Sequence, residues 1–155
     1  MNHRRAPVLL AALSLLLLAA CGSQATLKRY AYAAQVLEDV SATAKVVVLD
    51  LDRAALEAAV VGVTDPADRA AKVHAAQATF DSRHLVDAVN LLIEAKNTYI
   101  NGVLLAAQQD SPSWADLKPA IKAALDAYAA LKQALGVDGT RLPAIPAAVT
   151  AIIGA

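Results

Sequence analysis

Apolar positions along this chain recur at alternating spacings of three and four, the rhythm of a helix that buries one face. Tyr30, Ala33, Leu37, Val40, Ala44, Val47, Leu51, Ala54, Ala58 and Val61 form one such a/d seam and predict a first helix ending near Val61. Gly62 then supplies a stop and Thr64-Asp65-Pro66 a restart, with Asp65 as N-cap and Pro66 at the first helical position. A second helix is expected from Pro66 towards Gln109. Its apolar stripe is Leu85, Val86, Val89, Leu92, Ile93, Ile100, Val103, Leu104 and Ala107, and its polar row is Arg83, Asp87, Asn90, Glu94, Asn97 and Asn101. Thr79-Phe80-Asp81-Ser82 is weak helix-forming sequence and a place for a kink or break.

Ser111-Pro112-Ser113 carries a turn and cap signal, and Asp116 follows Ser113 at capping-box spacing. Pro119 cannot sit comfortably inside a helix begun at Pro112, so the first turn is separate or the helix bends there. Leu117, Ile121, Ala124, Tyr128, Leu131 and Leu135 make another clean seam, closed by Gly136. After a turn over Gly136-Val137-Asp138-Gly139, a short terminal helix is expected within Leu142–Ile153, starting near Pro143 or Pro146, with Ile145, Val149, Ile152 and Ile153 inward. Short connections favour antiparallel neighbours. The expected fold is all-α: a long antiparallel helical hairpin completed by a third, broken helical layer, a three- to four-helix bundle forming one domain over residues 26–155. Val46, Val48, Leu49, Leu56 and Val60 lie outside the first seam, so a third layer, a partner or a second copy must cover them.

The first 20 residues follow another rule. Met1–Arg5 is basic, and Ala6–Ala20 is apolar apart from Pro7 and Ser14, which is the layout of a secretory signal. The run is shorter than the roughly 18 apolar residues that a membrane span needs. It ends in Leu18-Ala19-Ala20-Cys21, which resembles the lipobox of bacterial lipoproteins. The resemblance implies that residues 1–20 are removed and that Cys21 becomes a mature N-terminus carrying several acyl chains. Each buried methylene would add about 0.8 kcal/mol, and more than one chain is needed for durable anchoring. Cys21 is the sole cysteine, so no internal disulfide is available to it. Residues 21–25 would form a short tether. Gly22 stands where Asp would retain an enteric lipoprotein in the inner membrane, so outer-membrane placement is the expectation in a host that follows that rule. Ala-Pro after Arg4-Arg5 departs from a twin-arginine signal and favours general export.

Without Arg4 and Arg5 the chain has 12 basic against 14 acidic side chains, a net of about −2. That balance gives no footprint for nucleic acid, and there is no polybasic patch for anionic lipid. Aromatics at 4% are too sparse for stacking platforms or an aromatic-lined cleft, so the core must be built from Ala, Leu, Val and Ile.

Val46-Val47-Val48-Leu49-Asp50-Leu51-Asp52-Arg53-Ala54 resembles motif one of the haloacid-dehalogenase-type phosphatases, with Ala54 where Thr or Val is usual. The resemblance implies Asp50 as phosphoryl-accepting nucleophile, Asp52 as general acid/base and Mg²⁺ between them. The alternative is that these residues continue the helical seam, their β-branched run only looking strand-like. Asp81, His84 and Asp87 could share one side of a helix as metal ligands, although the Glu-x-x-His pairs of di-iron bundles are missing; the alternative is a solvated helix edge. Neither a Gly-x-Ser-x-Gly elbow nor a glycine-rich phosphate loop is present, and Trp114 reads as a cap over a bundle end.

The leading expectation is therefore a non-enzymatic, membrane-anchored lipoprotein facing the periplasm, with no catalytic residues, cofactor or metal, binding an envelope protein or a second copy of itself. A carrier or sensor of an apolar small molecule or lipid is the alternative, with room left by Ala58, Ala71 and Ala75. The Mg²⁺-dependent phosphatase is the remote third.

Overall fold

A computed structural model describes residues 24–109 and 112–154; the expected signal segment and Cys21 lie outside the described residues. The described chain is all-α. It comprises α1 (Gln24–Val60), α2 (Pro66–Asp81), α3 (Leu85–Ala107), α4 (Lys118–Leu135) and α5 (Ala147–Gly154), with 3-10 segments at Trp114–Leu117 and Gly136–Arg141. No strand occurs among the described residues.

Local chemistry sets most of the boundaries. α1 stops before Gly62, whose φ of +72° is a left-handed conformation that glycine adopts without a Cβ clash. The Asp65 carboxylate accepts from the backbone N–H groups of Ala67 and Asp68 at 2.8 and 3.0 Å, and Pro66 follows it, as expected. The expected break falls after Asp81: His84 takes φ +52°, and its carbonyl accepts from the Ala88 N–H to open α3. The capping box expected at Ser113 does not form. The Ser113 side chain makes no cap bond, Trp114–Leu117 is a separate 3-10 turn, and α4 starts at Lys118 with Pro119 in its first turn, where a missing N–H costs nothing. The terminal helix begins at Ala147, directly after Pro146.

Two corrections concern α1. It begins at Gln24, so the last two residues of the expected 21–25 tether are helical. The seam also moves: it is buried from Tyr30 to Val47, but Leu51 is half-buried, Ala54 and Ala58 are exposed, and Val61 beyond the helix is 79% exposed. Ala55, Leu56, Ala59 and Val60 are half-buried instead. A straight helix drifts about 20° per heptad from a strict seven-residue repeat, so the four heptads from Tyr30 to Ala58 turn the seam by about 80°.

The chain divides into two compact units. One comprises the described residues up to Glu38, Ala95–Ala124 and those from Ile145; the other comprises Asp39–Glu94 and Leu125–Ala144. In the first, Leu37, Tyr99, Val103, Ile121, Val149 and Ile152 are buried, and α1 runs antiparallel to α3, since Tyr30 meets Tyr99 while Glu38 meets Lys96. In the second, the core includes Val40, Val48, Phe80, Leu85, Leu92 and Leu131. Each fully buried aliphatic side chain stabilises its unit by about 1.5–3 kcal/mol. α2 contributes little to a core, with Phe80 its buried residue and Val73 and Ala76 half-buried.

Two glycines separate close packing from slack. A Cβ on Gly139 would lie 2.5 Å from the Lys132 backbone carbonyl oxygen, whereas one on Gly102 would meet only the movable end of Leu117, at 2.6 Å. Gly139→Ala is therefore expected to destabilise by about 1–3 kcal/mol. Gly102→Ala should be nearly neutral, because the better helix propensity of Ala, worth about 1 kcal/mol, offsets the shift of Leu117. Denaturant midpoints of the two variants check this, and equal losses would contradict it.

Candidate functional site

The stretch Val46–Ala54 lies in the middle of α1, so Asp50 and Asp52 do not follow a strand end as the phosphatase motif requires. Residues two apart on a helix point about 200° away from each other, which prevents the two carboxylates from sharing one Mg²⁺. Asp50 is instead taken up by Arg141, Nη2 to Oδ2 at 3.1 Å, in a pair that is half-exposed on both sides. The nucleophile and acid/base roles expected from the resemblance have no structural support.

His84 Nδ1 lies 3.2 Å from Asp87 Oδ2, and both side chains are largely exposed. Asp81 does not join them in a ligand set: among the described residues, no group of three or more His, Cys, Asp or Glu is placed to hold a metal ion. The row Arg83, Asp87, Asn90, Glu94, Asn97 and Asn101 is exposed throughout. Ala58, Ala71 and Ala75, expected to leave room for an apolar ligand, are exposed as well.

Two arrangements remain that could engage another molecule or specify the fold. The first is a shallow cleft of about 170 Å³ lined by Lys45, Val48 and Leu49 of α1 and Val86, Val89, Asn90 and Ile93 of α3. Leu49 and Val86 at its edge are 53% and 51% exposed, and Val46 beside them on α1 is 56% exposed. Of the apolar residues outside the first seam, Val48 is buried and Leu56 and Val60 are half-buried, so Val46 and Leu49 remain uncovered. Val86, expected in the stripe of the second helix, is turned outward with them.

The second is a polar seam inside an apolar contact. Lys96 is 7% exposed, and its Nζ lies 2.7 Å from Glu38 Oε2. The neighbouring Tyr99 is fully buried and its hydroxyl donates to the Tyr30 carbonyl at 2.9 Å. Tyr30 in turn packs against Trp114, with ring centroids 5.2 Å apart and planes tilted by 35°. Neither Lys96 nor Tyr99 was expected in the stripe. The signal for them was their spacing: Leu85, Val89, Leu92, Lys96, Tyr99, Val103 and Ala106 form an unbroken heptad series, every member buried. In the other unit, the Tyr128 hydroxyl donates to the Pro143 carbonyl and ties the segment before α5 to α4.

Burial, followed by the nearby Tyr30 phenol, raises the Tyr99 pKa far above the ordinary 10.0. Burial also raises that of Tyr128. No described helix is long and apolar enough to cross a membrane. Comparison with known protein families, curated proteins and solved structures finds no match to this chain.

Lys96→Ala removes the ammonium from the Glu38 contact and truncates a buried four-carbon stem, a loss worth about 1–3 kcal/mol, so it should lower the unfolding midpoint accordingly. Tyr99→Phe should cost about 1 kcal/mol at neutral pH, the net worth of one hydrogen bond. The two tyrosines also set an alkaline limit. Their pKa values are raised in the fold, so the stability they contribute is complete below the unfolded value of 10.0 and declines as pH rises above it. Unfolding measured across the alkaline range should show a shallower decline in Tyr99→Phe; an unchanged slope would count against the burial of this phenol.

Proposed function

We propose that this chain is a lipid-anchored protein of a bacterial envelope, held to the membrane through Cys21, whose helical domain is a non-enzymatic interaction or structural module. The observation that carries the anchor is the tetrad Leu18-Ala19-Ala20-Cys21 at the end of a basic-then-apolar leader. With Gly22 after the cysteine, the outer membrane is the destination in a Gram-negative host that sorts by that residue.

The partner reading draws support from the uncovered Val46, Leu49 and Val86 around the α1–α3 cleft. At about 170 Å³ the cleft is smaller than the roughly 300 Å³ at which small-molecule pockets begin, so it suits a side chain of an envelope protein or of a second copy better than a lipid or other apolar cargo.

Crosslinking in intact cells followed by affinity isolation tests both parts. Wild-type protein is expected in the membrane fraction with acyl mass on Cys21 and one stoichiometric crosslinked protein, while Cys21→Ser is expected in the soluble fraction. Retention of Cys21→Ser in the membrane, or an unmodified Cys21, would remove the anchor. A monomer that crosslinks to nothing, and is indifferent to Leu49→Glu, would remove the interaction module.

A further inference from the structure

We propose that the outer face of the first turns of α1, carrying Lys28, Arg29 and Tyr32, lies on the anionic lipid headgroups of the membrane that holds Cys21. The inference rests on the anchor reading above and adds an orientation to it.

Reach comes first. Three residue steps separate Cys21 from Gln24, at most about 10–11 Å of chain however it is arranged. Tyr32 lies eight residues into α1, about 12 Å further along the helix axis. An anchored Cys21 therefore keeps this strip beside the bilayer.

Its chemistry suits that neighbour. Lys28, Arg29 and Tyr32 are exposed, Tyr32 by 45%, whereas Leu27, Tyr30, Ala31 and Ala34 on the opposite face are buried. Lys28 and Tyr32, four apart, share one face. Residues 21–37 contain no acidic side chain. Helix stability does not ask for this arrangement: the N-terminal end of a helix favours acids over cations, and the first turn of α1 has none. Exposed Lys and Arg beside an aromatic with a polar tip are the combination that settles at a headgroup layer.

Charge is also divided between the two units. From Cys21 onward, the sequence assigned to the unit that contains the start of α1 has five basic and three acidic residues, whereas the other unit has seven and eleven. The unit that contains the start of α1 is thus net positive, the sign that an anionic surface attracts.

The test uses the full lipidated chain carrying Gln35→Cys, an exposed position on the same face, labelled with an environment-sensitive fluorophore. Acylation occupies the sulfur of Cys21, so the label reports only position 35. The protein is reconstituted through its own anchor into phosphatidylglycerol–phosphatidylcholine vesicles or pure phosphatidylcholine. The expected result is a blue-shifted label, several-fold less quenched by acrylamide, in the anionic vesicles alone, reversed by added salt. Each basic residue near such a surface strengthens association about fivefold, so Lys28→Glu with Arg29→Glu should reduce the docked-to-undocked ratio at least about 25-fold while the protein stays on the vesicle. Equal accessibility in both vesicles overturns the orientation. Shielding that is the same in neutral detergent also overturns it, because it assigns the strip to a protein contact. A chain without acyl mass on Cys21 overturns the anchor reading and the orientation with it, whereas lipid on Cys21 beside an accessible label overturns the orientation alone.

Discussion

The contact between the first part of α1 and the second part of α3 depends on an ion pair, Glu38–Lys96, set into an otherwise apolar seam. Aliphatic and alanine surfaces are close to interchangeable, so two helices lined with them can slide by a heptad and still bury similar area. A lysine that is 7% exposed removes that freedom, because its ammonium is costly to bury unless a carboxylate meets it. Glu38 meets it at 2.7 Å, and three residues on the buried Tyr99 hydroxyl is satisfied by the Tyr30 carbonyl at 2.9 Å. A register that left the Lys96 ammonium without a carboxylate would be penalised, while the aliphatic members supply most of the burial.

That division explains what could be read from the sequence. The buried face of α4 and of the 3-10 turn before it was legible because the seam is short, apolar apart from a tyrosine hydroxyl, and closed by Gly136, although the start of the helix was not: Leu117, Ile121, Ala124, Tyr128, Leu131 and Leu135 are all buried, but no capping box forms at Ser113. Lys96 was hidden because a search for apolar positions passes over a residue whose four-carbon stem fills a core site once its charge is paired. The second half of the α1 seam failed for a geometric reason: a seven-residue repeat drifts about 20° per heptad on a helix of 3.6 residues per turn, and over a helix of 37 residues that drift carries Ala54 and Ala58 to the surface. The anchor is a different kind of inference, carried by four residues and their neighbours rather than by packing.

The phosphatase resemblance shows how a local pattern yields to its context. Val46, Val47 and Val48 are β-branched and resemble a strand leading into Asp-x-Asp, yet they lie between long helical stretches on both sides and form α1 without interruption. Propagating a helix through three unfavourable residues costs a few tenths of a kcal/mol each, far less than starting a second helix nucleus would. The same residues then do what a helix allows: Val47 and Val48 enter the core, Val46 faces outward, and Asp50 turns to Arg141. The surface chemistry of this part of α1 therefore comes from which residues the helix leaves uncovered, not from the order in which they occur.

α2 is held by the opposite means to α1. Its 16 residues present one buried side chain, Phe80, so its persistence rests on the Asp65 cap, Pro66 in the first turn and an alanine-rich sequence. Isolated helices of about 12–15 residues are marginal in water, which puts α2 near the lower limit of what local chemistry alone can hold. Both of its flanks pass through left-handed residues, Gly62 and His84, so neither neighbouring helix extends its own hydrogen-bond ladder into it. Free energies of local opening follow buried contacts, and α2 has few. Buried side chains are concentrated on α1, α3 and α4, so a surface of fixed geometry is better built on those helices than on α2. Val46, Leu49 and Val86 are placed on them, and so are Lys28, Arg29 and Tyr32.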